Sequence, residues 1–263
     1  RYEIMLRTTL KTIITGLLGA LLIVGVVYVS YKSSAKSLQP PSEEEITAVD
    51  NVGTALSAEE RQTVILSRAS AVQVMSLKAT TGRIAASSGT YVEYDGKYFV
   101  LTTAHGVGGQ CSATHIAVDQ ELHDCVSITF KNIVDDWAVI QVNPLPNRTA
   151  VRIPDQIPRP QELQADFATQ NTTYYTGYPN HGGPYTFEGR IVAYSEREGI
   201  FIDSYGWSGS SGSGVFSASG NLIGIVMGLE IGETNFGTAV LENFIWVIPI
   251  TRVNWTVVGI FAE

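Results

Sequence analysis

Three short motifs of this chain carry a serine, a histidine and an aspartate in contexts that suit nucleophilic catalysis. They are Gly209-Ser-Ser-Gly-Ser-Gly-Val-Phe216, Thr102-Thr-Ala-His-Gly-Val107 and Asp136-Trp-Ala-Val-Ile140. A serine hydroxyl is a poor nucleophile until a neighbouring base takes its proton, and a third group usually orients that base. The order histidine, aspartate, serine is one of the chain orders in which such a triad occurs. The three motifs together predict acyl-transfer chemistry at a serine.

Ser211 is the best candidate for the nucleophile. It has a glycine two residues before it and another directly after it, whereas Ser210 is followed by a serine and Ser213 has a serine two residues before it. A glycine at the earlier position lets the backbone turn, so that the amides of Gly209 and Ser211 point at one spot. Two such donors would form an oxyanion hole.

His105 would serve as the general base and later as the acid for the leaving amine, while an aspartate holds its imidazole in the correct tautomer. Asp135 and Asp136 compete for that role, but only Asp136 gives the pattern aspartate-x-alanine-aliphatic running into a strand. The alternative interpretation is an unrelated glycine-serine loop, a core histidine and a solvated acidic pair. Three motifs in a suitable order argue against it.

Short strands surround these motifs. Alternating or apolar runs, punctuated by Gly, Asn, Asp and Pro, occur at Ala71–Met75, Tyr98–Thr102, Val126–Phe130 and Trp137–Val142. Such spacing is typical of an all-β barrel. A proline-rich connector, Asn143 to Pro160, argues against regular structure there. A second strand series runs from about Asp166 to Pro249, and Thr251 is expected to cap a terminal helix over Arg252–Phe261.

The motifs resemble those of the trypsin/chymotrypsin-like serine proteases, especially the glutamyl endopeptidase, high-temperature-requirement periplasmic and viral branches. The resemblance runs from about Ser70 to Ile250 and includes Thr176-Gly-Tyr-Pro179, Phe187-Glu-Gly-Arg-Ile191 and Gly220-Asn-Leu-Ile-Gly-Ile-Val-Met-Gly228. It implies an all-β fold of two six-stranded antiparallel barrels, with the histidine and aspartate on the first and the serine on the second. It also implies a serine endopeptidase that acts on protein or polyprotein substrates without a cofactor or metal.

Departures from these relatives concern the pocket for P1, the substrate residue before the scissile bond. Glutamate-specific relatives have a histidine where this chain has Val226 and a threonine where it has Gly206. Tyr205 stands where trypsin-like enzymes carry an aspartate. We therefore expect a pocket formed by Tyr205, Gly206, Val226, Met227 and Gly228 that takes an uncharged, apolar or aromatic P1 residue.

The amino-terminal part of the chain has a different character. Ile13 to Val29 contains no charged residue, and with Thr12 and Ser30 it is long enough to span a bilayer. Residues 1–36 are therefore predicted to be a transmembrane anchor that contacts lipid through residues 12–30. A signal peptide cleaved near Ser33-Ser-Ala35 is the alternative. The flanking charges favour a protease domain on the extracytoplasmic or lumenal side.

The remaining boundaries follow from composition. We expect a stalk over 37–68, a first barrel over 69–145, a proline-rich linker over 146–165, and a second barrel with a terminal helix over 166–263. Ser57-Ala-Glu-Glu60 resembles a capping box and predicts a short helix in the stalk. Cys111 and Cys125 form a disulfide if the domain faces an oxidising compartment, and are otherwise free thiols.

The formal net charge is −8 and no basic stripe occurs, so nucleic-acid binding has little support. Three other hypotheses about function remain. The favoured hypothesis is a membrane-anchored serine endopeptidase in viral polyprotein maturation or envelope quality control. The others are a catalytically silent relative that binds a partner, and a structural membrane protein. Ser210 replaces the aspartate that pairs with the amino terminus in digestive relatives, so we expect activity without zymogen cleavage.

Overall fold

The computed structural model describes residues 56–78, 81–154, 159, 161–163, 165–234 and 237–262. The predicted membrane anchor and most of the predicted stalk lie outside these residues. Within the described part of the chain, no helix is both long and apolar enough to cross a membrane.

Helix α1, Ala58–Ser70, opens the described chain with the predicted capping box. The Ser57 hydroxyl accepts a hydrogen bond from the Glu60 amide at 3.2 Å, and the Glu60 carboxylate accepts one from the Ser57 amide at 2.8 Å. Two amides at the start of the helix, which have no partner within it, are satisfied in this way. The start of the predicted helix is therefore confirmed.

One side of α1 packs against the second half of the β structure. The Thr63 hydroxyl donates to the Ala218 carbonyl at 3.0 Å, and the Ser67 hydroxyl donates to the Thr176 hydroxyl at 2.8 Å. Both side chains are almost completely buried. Helix α1 therefore packs as part of the folded β unit, although it falls mostly in the segment that we expected to be a stalk.

Six antiparallel strands form the first barrel, in the order β1-β4-β5-β6-β3-β2, and pairing of β1 with β2 closes it. The strands are β1 (Ala71–Lys78), β2 (Arg83–Tyr94), β3 (Lys97–Thr103), β4 (Thr114–Val118), β5 (Glu121–Asn132) and β6 (Trp137–Val142). Strand β6 is buried along its whole length. Its first residue, Trp137, stacks on Phe130 with ring centroids 5.0 Å apart. The buried start of β6 fixes the position of the residue before it, Asp136.

The connector between the barrels contains one short strand, β7 (Val151–Arg152), which pairs in parallel with β2. This corrects the expectation that the proline-rich connector has no regular structure. The prolines flank the two residues of β7 rather than interrupt them, and Val151 is buried against the core.

The second barrel is also closed and six-stranded, in the order β10-β13-β12-β11-β8-β9. Its strands are β8 (Thr172–Gly177), β9 (Tyr185–Ser195), β10 (Gly199–Asp203), β11 (Gly214–Ser217), β12 (Leu222–Thr234) and β13 (Gly237–Pro249). The predicted architecture of two six-stranded barrels is confirmed. Ser211 lies in the connection between β10 and β11.

Strands β12 and β13 extend beyond the barrel as a two-stranded arm. Strand β12 pairs with β11 only from Leu222 to Ile225, but it pairs with β13 as far as Thr234. Strand β13 pairs with β10 only from Phe244 to Val247. The arm, which begins at Glu230 on β12 and ends at Leu241 on β13, therefore contributes no ladder to the barrel wall among the described pairings.

The chain ends in helix α2, Trp255–Phe261, which is shorter than predicted. Asn254 caps it by accepting a hydrogen bond from the Val257 amide at 3.1 Å. The expectation that Thr251 is the cap was wrong, because Ile250–Arg252 forms a separate 3₁₀ turn. Asparagine caps helices at least as well as threonine, so the residue types alone did not decide between them.

Cys111 and Cys125 are joined in a disulfide that closes a segment of 14 residues in sequence separation. The bond ties the turn Cys111–Ala113 to β5. It therefore links the end of the loop that follows His105 to the barrel wall.

Reduction of this disulfide should lower the free energy of unfolding by up to about 3 kcal/mol, because a cross-link of this length constrains the unfolded chain. Urea denaturation with and without reductant measures the change. A Cys111→Ala/Cys125→Ala double variant should have the stability of the reduced protein and no sensitivity to reductant. Equal midpoints for oxidised and reduced protein would contradict this.

Candidate active site

The structure places His105 and Asp136 in direct contact. The Asp136 Oδ2 atom lies 2.6 Å from His105 Nδ1, and its Oδ1 atom accepts from the His105 backbone amide at 2.8 Å. The Ala104 amide also donates to the Asp136 carbonyl at 3.1 Å. Because the carboxylate accepts at Nδ1, that nitrogen carries the hydrogen and Nε2 of the neutral ring is left as the acceptor.

Asp136 adopts a left-handed backbone conformation, with φ 56°. Non-glycine residues adopt it rarely and only where neighbouring contacts impose it, and aspartate tolerates it better than most. The Asp136 side chain is 13% exposed, whereas that of His105 is 52% exposed. The carboxylate is thus largely enclosed, while about half of the imidazole surface is open to solvent.

Asp135 stabilises the turn between β5 and β6, through hydrogen bonds with Asn132. Its carboxylate accepts from the Asn132 side-chain amide at 2.8 Å, and its backbone amide donates back to the Asn132 side chain at 3.0 Å. These bonds shape the turn that delivers Asp136 to His105. The two neighbouring aspartates are therefore distinguished by their contacts.

The loop around Ser211 depends on two glycines in the left-handed region. Gly209 has φ 101° and Gly212 has φ 91°. A Cβ atom on Gly212 would overlap the Ser88 carbonyl oxygen and the Thr102 hydroxyl, so the loop approaches the first barrel too closely for any side chain there. Ser211 itself is partly exposed.

Ser88, on β2 of the first barrel, holds this loop in place. Its amide donates to the Ser211 carbonyl at 2.8 Å, and its hydroxyl donates to the Gly209 carbonyl at 2.8 Å. The same hydroxyl accepts from the Tyr178 amide at 2.9 Å, and the Ser88 carbonyl accepts from the Thr102 hydroxyl at 2.7 Å. Ser88 is completely buried. Sequence analysis missed this residue.

Ser87, which precedes Ser88 on β2, packs closely against the loop that carries His105. A Cβ atom on Gly106 would lie only 2.5 Å from the Ser87 hydroxyl and 3.1 Å from that of Thr103. Ser87 and Ser88 thus touch the segments that carry His105 and Ser211, respectively. The structure therefore brings all three sequence-predicted motifs to one region between the barrels.

The peptide between Ser208 and Gly209 has a defined orientation. The Ser208 carbonyl accepts from the Asn180 amide at 2.7 Å. In a trans peptide the carbonyl and the following N–H point in opposite directions, so the Gly209 N–H is directed away from Asn180.

Of the residues predicted to bind P1, Tyr205 and Gly206 are in the segment that leads to Ser211, whereas Val226, Met227 and Gly228 are on β12. Tyr205 is half-exposed and lines an open cleft of about 380 Å³, together with Pro179, Asn180, Gly182, Tyr185, Phe187 and Trp207. Val226 is buried in the core, Met227 is partly buried, and Gly228 has open space where a Cβ would stand.

Gly206 is covered by two aliphatic side chains that sequence analysis did not identify. A Cβ atom there would lie 2.7 Å from Leu229 Cδ2 and 3.0 Å from Ile245 Cδ1. Leu229 and Ile245 are opposite each other on β12 and β13. They fill the space beside Gly206 that an open pocket would require.

Residues 87–225, more than half of the chain, match the family model described as a trypsin-like peptidase domain. The chain belongs to the trypsin-like peptidase family. It is a serine endopeptidase, as the sequence motifs predicted. The matched residues include His105, Asp136 and Ser211.

Solved structures of bacterial proteases share the fold of this trypsin-like peptidase. The Rv3671c protease of M. tuberculosis in its active form is 18% identical, with a TM-score of 0.57, 86% of this chain covered and 95% of that one. The serine endoprotease of Yersinia pestis is 18% identical, with a TM-score of 0.55, 77% of this chain covered and 68% of that one. An HtrA-type protease, AlgW with a tripeptide, is 19% identical, with a TM-score of 0.55, 73% of this chain covered and 60% of that one. No curated protein matches the sequence.

Replacement of Ser88 by alanine should weaken both the fold and the peptidase. The Gly209 carbonyl and the Tyr178 amide would lose a buried partner, which costs about 1–3 kcal/mol of unfolding free energy. We expect kcat/KM to fall as well, because the Gly209 peptide loses its anchor. Ser87→Ala is the matched control, since the Ser87 hydroxyl has no hydrogen-bond partner within the described chain. Equal effects of the two substitutions would contradict this role of Ser88.

Proposed function

We propose that this peptidase cleaves polypeptides with Ser211 as nucleophile, His105 as general base and Asp136 as the orienting carboxylate. The observation that carries the proposal is the pair of contacts between Asp136 and His105, which leaves Nε2 as the free acceptor. The close packing of Gly106 against Ser87 and the hydrogen bonds of the Ser211 loop to Ser88 support it, because Ser87 and Ser88 are adjacent on β2.

In the proposed reaction, His105 Nε2 takes the proton of the Ser211 hydroxyl as Oγ attacks the peptide carbonyl carbon. The imidazolium that forms is stabilised by ionised Asp136, and it then protonates the leaving amine. In the second half-reaction, His105 takes a proton from water as the water oxygen attacks the acyl carbon. His105 then returns this proton to Ser211 Oγ as the acyl–serine bond breaks. His105 thus carries one proton in each half-reaction.

We assign the oxyanion hole to the amides of Gly209 and Ser211. The direction of the Gly209 N–H, set by the bond between Asn180 and the Ser208 carbonyl, supports this assignment. A donor of this kind contributes about 3–4 kcal/mol to transition-state stabilisation. Positive φ at Gly209 lets its N–H turn toward the spot that Ser211 also faces.

The P1 residue is proposed to be small and uncharged. Neither an acidic nor a basic side chain stands at Tyr205, Gly206 or Val226 to pair with a charged P1 residue. Leu229 and Ile245 pack against Gly206 and leave little depth for a long side chain. We therefore propose a small apolar P1 residue, where the sequence alone allowed any apolar or aromatic one.

We further propose that residues 12–30 anchor the peptidase in a lipid bilayer, with the barrels on the extracytoplasmic or lumenal side. The uncharged run in the sequence and the disulfide between Cys111 and Cys125 support this, because disulfides persist in oxidising compartments. The proposed substrates are proteins or polyproteins near that membrane surface. Envelope quality control and viral polyprotein maturation are the two settings proposed from the sequence.

A fluorophosphonate probe should label the full-length protein, and Ser211→Ala and His105→Ala should each abolish labelling, because the probe reacts only with an activated serine. Ser219→Ala, which removes an exposed serine in the turn after β11, should label like the wild type. Labelling that persists in Ser211→Ala would show that another serine is the nucleophile. A folded wild-type protein that does not label would favour the silent, partner-binding hypothesis.

Leu229→Ala should shift P1 preference from alanine or valine toward leucine or phenylalanine, because it empties the space beside Gly206. The kcat/KM values for a series of peptides that differ only at P1 measure this. Each extra methylene accommodated is worth roughly 1 kcal/mol, so a shift on the order of tenfold or more is expected. Ile231→Ala, an exposed position two residues along the same strand, should leave the preference unchanged. A wild-type preference for glutamate would contradict the proposed pocket.

A further inference from the structure

Tyr175 lies beneath the nucleophile loop, inside the second barrel. It is on β8, opposite Val215 of β11, and its side chain is completely buried. Its ring stacks on Phe187 with centroids 5.0 Å apart. This packing fixes the direction of the ring and therefore the position of its hydroxyl.

The Tyr175 hydroxyl contacts the start of the segment that leads to Ser211. It donates a hydrogen bond to the Tyr205 carbonyl. The side chains of Ser210 and Ser204 lie near the same hydroxyl. Ser210 directly precedes Ser211, so this one buried hydroxyl is bonded to the beginning of the segment 205–210 and lies close to its end.

Bonds within the segment complete its fixed shape. The Ser210 amide donates to the Trp207 carbonyl at 3.0 Å, and the Trp207 amide donates to the Ser210 hydroxyl at 3.4 Å. The Ser210 carbonyl accepts from both the amide and the hydroxyl of Ser213. Gly209, with positive φ, is enclosed between these bonds.

The Tyr175 hydroxyl remains a neutral donor over the pH range of neutral and moderately alkaline solution. Burial raises the pKa of Tyr175 above its ordinary value, because a phenolate is poorly solvated there, and the nearby hydroxyls of Ser210 and Ser204 oppose this only in part. The Tyr205 carbonyl is therefore satisfied without any charged group.

We propose that Tyr175 is a positioning residue that holds the segment 205–210, and with it the Gly209 amide, in the arrangement required for transition-state stabilisation. This inference rests on the proposed oxyanion hole at Gly209 and Ser211. Tyr175 does not touch the substrate; it acts through Tyr205 and Ser210. Its loss should weaken binding of the tetrahedral oxyanion more than binding of the planar substrate.

The test is Tyr175→Phe in the full-length protein, which removes one oxygen and keeps the ring. We expect kcat to fall on the order of ten- to a hundredfold while KM changes less than about twofold, since the lost interaction is realised mainly in the transition state. The inhibition constant of a peptide boronic acid, which forms a tetrahedral adduct with the serine, should rise by a similar factor.

Tyr174→Phe is the matched control. Tyr174 is the neighbouring residue on β8, and its hydroxyl donates to Glu60 of α1 at 3.2 Å instead of to the nucleophile loop. This substitution should lower Tm but leave kcat and boronate inhibition as in the wild type. If both variants lose activity in proportion to their loss of stability, Tyr175 has only a structural role and the proposal is wrong.

Other outcomes are also decisive. Wild-type kcat and boronate inhibition in a folded Tyr175→Phe variant would overturn the proposal while leaving the triad intact. An unreactive wild-type serine would instead overturn the proposed function, and this inference with it. If Tyr175→Phe does not fold, Ser210→Ala removes the hydroxyl that lies near that of Tyr175 and accepts from the Trp207 amide, and it keeps the ring; unchanged boronate inhibition there would equally contradict the proposal.

Discussion

The hydrogen bonds of Ser88 join the two barrels at the point where the peptidase needs its greatest precision. Neither barrel contains the complete proposed site, because His105 and Asp136 are on the first and the Ser211 loop is on the second. The amide and hydroxyl of Ser88 bind two carbonyls of that loop, and its carbonyl is held in turn by Thr102. Because these groups are buried, each would be costly to leave unpaired, and the relative position of the barrels is tied to the shape of the loop.

Polar but uncharged groups hold the loop that carries Ser211 in place from both sides. Ser88 supports it from the first barrel, and the Tyr175 hydroxyl supports it from within the second. In digestive relatives, an ion pair between an aspartate and the free amino terminus orders this loop. Ser210 stands at the position of that aspartate, so the resemblance led us to expect no such pair in this chain. A network of hydroxyls and carbonyls avoids the large desolvation cost of a buried ion pair.

The contact between His105 and Asp136 shows how backbone conformation and chemistry are coupled. Left-handed φ at Asp136 costs conformational energy, yet it turns both carboxylate oxygens toward His105. The Asn132 turn and the buried Trp137 constrain the residues on either side. The strained residue is therefore located where an exact orientation matters most for the proposed reaction.

The sequence predicted the short strands and the helix start at Ser57, because each has a strong local signal, whereas the two six-stranded barrels were expected from the resemblance to the trypsin/chymotrypsin-like proteases. It did not indicate Ser88, Tyr175 or Leu229, since a buried serine, a strand tyrosine and a strand leucine look like ordinary core residues. Their importance depends on contacts between segments that are far apart in the chain, such as Tyr175 with Tyr205. The cap of α2 was missed for a different reason: Thr251 and Asn254 are both good capping residues, and only the structure shows that Thr251 is inside a 3₁₀ turn before the helix.

The arm formed by β12 and β13 leaves strand edges unpaired among the described residues, beginning next to the nucleophile loop. Exposed edges of this kind are templates on which other chains can add a strand. Glu230 and Glu233 are on β12 of the arm, and residues 230–241 contain no lysine or arginine. Two copies that met along this edge would bring carboxylates together, and like charges across strands are destabilising. Pairings that set these carboxylates opposite each other would therefore be disfavoured, whereas an extended segment rich in lysine or arginine would not add this repulsion.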